Sequence, residues 1–188
     1  VAVLSVIATF TLLLLHPSAY GIPGFNNVRD TPFSYLIGFV LGSLTATLVH
    51  PVIPAMEVLA TRRVARARAL LLLTATFFQG LLILGVSTLL RESLGLDLPW
   101  QHVAVFLTST VFFLGVGFIA AGLITGPIMW IIPVGLLAIF LGFSWKDEYA
   151  VHSWNLVMNT SGVLVSVAVV IYGVGLFVAS APNPRFGG

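Results

Sequence analysis

The chain contains no cysteine. That excludes disulfides, thiolate metal sites, iron–sulfur clusters and a cysteine nucleophile, and it leaves the redox state of the compartment open. Charge is almost as scarce. Asp, Glu, Lys and Arg make up 7% of the 188 residues, where a soluble domain carries about 25%. With 59% of the residues hydrophobic, most of the surface must face a bilayer rather than water. The apolar runs continue for roughly 17–22 residues without alternating at every second position, so the expected spanning elements are helices and not barrel strands.

Several chemistries are missing as well. No GxxxxGK[ST] loop is present to cradle phosphates, and no HExxH pair or Ser-His-Asp set appears. The interiors of the apolar runs hold no Asp, Glu, Lys or Arg, which argues against an ion-coupled carrier working alone. Asp147 and Glu148 with His152 could make up an external hydrolytic site, but the plainer reading is a solvated cap beside a span. The triplet Asn159-Thr160-Ser161 fits a glycosylation acceptor, a pattern that also arises often by chance.

What is present is about six apolar runs, in an all-α polytopic membrane protein read as one transmembrane domain over residues 1–188. The first, residues 1–16, lacks a basic leader and an A-x-A-like site, and reads as a span rather than a signal peptide. Because the chain opens on Val1 inside that run, its N-terminus reads as incomplete. The next runs cover about 34–55, 69–89, 102–123, 127–144 and 161–180, and "WKDEYAVHSWNLVMNTSG" supplies an external segment at 145–160 before the last. Pro127 and Pro133 are expected to make the fifth run irregular.

Half of the eight Lys and Arg residues fall within seven positions, at Arg62, Arg63, Arg66 and Arg68. Placing them in the cytoplasm puts both termini there too. The inner side then holds five positive residues and one negative, and the outer side three positive and five negative, as the positive-inside rule requires. Clustered at one membrane-proximal point, these arginines do not indicate nucleic acid despite the basic balance. "MEVLATRRVARAR" favours a short cytoplasmic basic helix over 54–68, with Glu57 early and the arginines late. Two uses stand side by side: topology with contact to anionic lipid head groups, and docking of a partner protein.

A cytoplasmic element opening with Glu57 and running through "ATRRVARARALLL", between spans two and three of six, resembles the ABC-2 class of ABC transporter permeases. The resemblance implies a coupling helix that docks on a separate ATP-hydrolysing subunit, with Glu57, Arg62, Arg63, Arg66 and Arg68 at the contact. It also implies a second permease copy or homologue, and re-entrant helices in the external segment. ATP would be bound by the partner, with no cofactor in this chain, and the expected setting is a bacterial plasma membrane. "EVLATRR" stands where the family usually has an "EKGT"-like stretch.

The histidines offer another class of function. His16, His102 and His152 fall on the outer side of this topology and make a candidate metal or haem site. On that reading the chain is a membrane anchor or a haem- or quinone-binding subunit of a larger complex. Boundary histidines are also common interfacial residues. His50, Pro51 and Pro54 in "VHPVIP" predict a kink, or a hinge carrying motion from the basic helix into span two. Gln79 is the one strongly polar mid-span residue apart from hydroxyls, and is expected to bond across helices. Gly115, Gly117, Ala120, Ala121 and Gly122, and then Gly162, Gly173 and Gly175, predict close helix packing within the chain or at a dimer face.

Overall fold

The computed structural model describes residues 1–15, 19–20, 31–49, 62–95, 98–124, 127–143 and 152–181. Within these the chain is mostly helical, with one antiparallel two-residue ladder, β1 (Ala19–Tyr20) with β2 (Thr31–Pro32), and an irregular stretch over 152–161. The helices are α1 (Ala2–Leu14), α2 (Ile37–Ala46), α3 (Arg62–Leu94), α4 (Trp100–Leu123), α5 (Ile131–Gly142) and α6 (Gly162–Ser180). Among the described residues α3, α4 and α6 are long and apolar enough to cross a membrane, and α1, α2 and α5 are shorter apolar helices.

Local sequence sets several ends. Gly95 takes φ +61°, the left-handed conformation that glycine adopts freely, and terminates α3. Pro99 precedes α4 in an extended conformation. Ser161 caps α6 by accepting a hydrogen bond from the Leu164 amide at 3.3 Å. The irregularity expected of the fifth run is a 3₁₀ turn, Pro127–Trp130, that leads into α5. Proline is tolerated in a first turn because the amide it lacks has no partner there, and Pro133 accordingly sits in the first turn of α5.

The architecture is built around α4, which is buried along most of its length, with Phe106, Phe113, Leu114 and Phe118 all inaccessible. It packs most extensively on α6 and α2. Those contacts are made through glycine. A Cβ on Gly38 would strike Ser109, one on Gly42 would lie 2.7 Å from the Phe113 carbonyl carbon, and one on Gly117 would lie 2.8 Å from the Ala46 Cβ. The pairs 38/109, 42/113 and 46/117 advance together one turn at a time, so α2 and α4 run in the same direction. On the other side of α4, Thr108 lies 3.3 Å from Thr160 through their hydroxyls, Gly115 meets Ile171 and Gly175, and Gly122 meets Val178. That advance is parallel too. In lipid, where apolar burial offers little drive, close backbone approach of this kind holds helices together by dispersion.

The other helices run against these three. Arg68 reaches Ala179 and Thr76 reaches Tyr172, so α3 is antiparallel to α6. Met129 clusters with Phe118 and Ala121, whereas Phe140 clusters with Phe112 and Phe113, so α5 is antiparallel to α4. The ladder β1–β2 brings the end of α1 back to the start of α2. The outward surface is apolar: Leu70, Leu71, Phe77 and Leu81 on α3 and Val163, Val170, Val174 and Phe177 on α6 are exposed. Inward, α3 presents Leu72, Gln79, Ile83, Ser87 and Leu90, a stripe at helical spacing.

Candidate functional site

The arginines do not form a helix of their own. Arg62–Arg68 are the opening turns of α3, which continues without a break to Leu94. Ala, Arg and Leu are all strong helix formers, and nothing between Arg68 and the apolar run stops the helix. At 1.5 Å per residue its 33 residues extend about 50 Å. A hydrocarbon core is about 30 Å thick, so α3 is long enough to carry its basic end beyond it.

Arginines at a helix N-terminus oppose the macrodipole of their own helix. The fold provides a compensation at Arg68. Because α3 and α6 are antiparallel, the opening of α3 lies beside the C-terminus of α6, where the last carbonyls lack partners within the helix. The half-buried Arg68 donates from Nη1 to the Ala179 carbonyl at 3.4 Å, placing its charge at the negative end of α6. Arg66, two residues earlier, is exposed. The cluster therefore divides into a residue turned into the bundle and one turned out of it. Glu57 and the hinge candidates His50, Pro51 and Pro54 lie outside the described residues, as does the part of the basic segment before Arg62. So does His16.

The remaining histidines sit at the opposite end of the bundle. His102 is half-buried in the first turn of α4 and its amide donates to the Pro99 carbonyl at 2.9 Å. His152 stacks on Trp154 with ring centroids 5.5 Å apart, and Trp154 in turn meets Phe140 at 5.9 Å. Among the described residues no three His, Asp or Glu come together in a metal-binding group. Near His102, the Arg91 guanidinium lies over the Trp100 ring, 4.6 Å from its centroid.

Three polar connections inside the bundle complete the geometry. Gln79 bonds across helices as expected: its Nε2 donates to the Leu41 carbonyl at 3.0 Å and to the Thr45 hydroxyl, tying α3 to α2. Tyr172 donates to Thr76 at 2.9 Å, tying α6 to α3. Asn155, fully buried, was not legible as a key residue. Its Nδ2 donates to the Phe140 carbonyl at 2.8 Å, and its Oδ1 accepts from the Val157 amide at 3.0 Å. One amide thus anchors and caps a single turn in which Leu156, Val157 and Met158 are buried against α4 and α6. The signal in the sequence was an apolar trio flanked by asparagines inside an otherwise polar segment.

The chain matches no protein-family model, no curated protein and no solved structure.

Proposed function

We propose that the chain is the membrane-spanning permease subunit of an ATP-driven exporter of the ABC-2 kind. It crosses the membrane six times with both termini in the cytoplasm, and pairs with a second permease copy. The observation that carries this reading is the basic opening of α3. It belongs to a helix longer than a bilayer is thick, and its Arg66 faces outward while Arg68 is held against α6. A charged helix end rigidly continuous with a span is suited to pass a push from an ATPase subunit into the membrane. Glu57, Arg62, Arg63 and Arg66 form the docking contact, and His50, Pro51 and Pro54 let span two tilt. The alternating directions of the described helices support the six-span arrangement. The apolar outer surface suits a hydrophobic or amphipathic cargo.

The test is copurification through a tag on this chain in mild detergent, with stoichiometric partners identified by mass. A nucleotide-binding ATPase at one copy per chain is the expected result. Glu57→Ala and Arg62→Ala should then abolish coupled ATP hydrolysis while membrane insertion stays normal. A redox subunit or a haem band in the same sample would shift the assignment to the anchor reading built on His102 and His152. Unimpaired transport by both variants would remove the docking role.

A further inference from the structure

The bundle interior holds a polar site, around Gln79, that the proposed function does not use. Gln79 is 1% exposed, and both protons of its amide go to α2, yet Oε1 has no partner among the protein atoms. Ser5 on α1 is also 1% exposed, and its hydroxyl is likewise unpartnered. An amide carbonyl left unmatched away from water is unfavourable, and hydrocarbon offers it nothing.

Helix direction and shared packing bring the two groups to a comparable depth. Leu13 of α1 shares a cluster with Ile83 and Leu90 of α3. The ladder after α1 turns the chain back into α2, and α2 opposes α3, so α1 and α3 run in the same direction. Stepping eight residues back from Leu13 reaches Ser5. The same step from Ile83 and Leu90 brackets positions 75 to 82, with Gln79 at the middle. The buried residues of α1 are Ser5, Thr9 and Leu13, a single stripe that faces α2 and α3, the two helices α1 packs on most. No hydrogen bond joins the Ser5 hydroxyl to Gln79 directly.

We infer that Ser5 and Gln79 hold a bound water between α1, α2 and α3, near mid-depth in the bundle. The water donates to Gln79 Oε1 and accepts from the Ser5 hydroxyl. Its second proton is offered to a neighbouring hydroxyl oxygen. Thr9 keeps both lone pairs for this purpose, because its own proton goes to the Ser5 carbonyl at 2.8 Å. Two to four polar partners are what a buried water requires. A neutral ligand suits a site whose residues carry no charge. The site gives α1 a polar hold on the bundle.

Two glutamines occur in the chain, Gln79 and the exposed Gln101, so selective labelling yields one buried and one surface signal. The experiment is water-edited solid-state NMR of the full chain in lipid bilayers, with glutamine side chains isotopically labelled. Magnetisation from water should reach the Gln79 amide despite its burial, and Ser5→Ala should weaken that transfer several-fold while leaving Gln101 unchanged. Absence of transfer to Gln79 overturns the inference, and so does transfer that Ser5→Ala leaves intact. Thermal unfolding supplies a second reading. Ser5→Ala and Gln79→Leu should each lower the midpoint, and the double variant should fall no further than the Gln79 variant alone. Additive losses also count against a shared water.

Discussion

Gly115 and Gly175 touch through their main chains: a methyl group on Gly175 would collide with the Gly115 carbonyl oxygen and lie 2.9 Å from its Cα. On Gly115 it would lie 2.6 Å from the Ile171 carbonyl carbon and the Tyr172 nitrogen. The obstacle is backbone in each case, and backbone cannot rotate aside. Gly175→Ala and Gly115→Ala should each destabilise the protein by about 1–3 kcal/mol, the usual cost of overpacking. Gly173 provides the control, because nothing lies within 4 Å of a Cβ added there. Gly173→Ala should cost nothing, and the better helix propensity of alanine adds up to about 1 kcal/mol. Unfolding in mixed detergent micelles, followed by helical circular dichroism, reads all three.

The hydroxyl pair Thr76–Tyr172 offers a cleaner measurement of a polar contact between helices. Tyr172→Phe removes one oxygen and leaves the ring against Phe118 in place. The expected loss is about 0.6 kcal/mol, within a ceiling near 1.7 for such bonds between membrane helices. In a double-mutant cycle with Thr76→Val, that loss should reappear as the coupling energy. A cycle that closes at zero would mean the bond contributes nothing to holding α3.

Asn155 serves two purposes with one side chain, so Asn155→Ala should release the turn from α5 and uncap it together. The cost is about 1–3 kcal/mol, because the Phe140 carbonyl is left without its donor. The native chain has no cysteine, which makes a single reporter thiol unambiguous. Val157→Cys, buried in the parent, should resist an impermeant maleimide, and should become labelled when Asn155→Ala is added. Equal labelling in both backgrounds would show that Asn155 does not hold the turn.

The two described arginine side chains near the start of α3 should separate in their effects. Arg68→Ala removes the donor to Ala179 and a charge at the C-terminus of α6. A loss of about 1 kcal/mol is expected, kept low by the long 3.4 Å bond and partial exposure. Arg66→Ala should leave unfolding unchanged and, on the proposed function, weaken association with an ATPase partner or with anionic vesicles. The reverse pattern would move the docking surface from Arg66 to Arg68.

The sequence makes the class of this fold plain, because a shortage of charge and long apolar runs leave few alternatives. It also shows which residues are small. Gly38, Gly42 and Ala46 recur at four-residue spacing on α2, and that stripe was as visible as the glycines of α4 and α6 that drew attention. What periodicity does not contain is lateral order. Nothing in the run around Gly115 states that it meets Gly175 rather than another copy of the chain, since any small face accommodates any other. The bond from Gln79 to Thr45 was half legible: a lone amide in an apolar run must find a partner, but the partner depends on which helix lies opposite. The continuity of α3 was hidden by its own composition, where a change from polar to apolar looks like a boundary although every residue across it favours helix. Arg68 was legible as a charge, and its place at the end of α6 required the antiparallel pairing to be known.

The placement of α4 between α2 and α6 has a consequence for biosynthesis. Helices that follow one another in the chain are not the ones that touch most closely: α2 meets α4 across the intervening α3, and α4 meets α6 across α5. Pairing each new helix with its predecessor as it is made does not assemble this bundle. The glycine face of α4 that receives Gly175 stays without its partner until α6 has been made. A nascent chain halted before Gly162 therefore carries an exposed adhesive surface, and synthesis of α6 is what seals it.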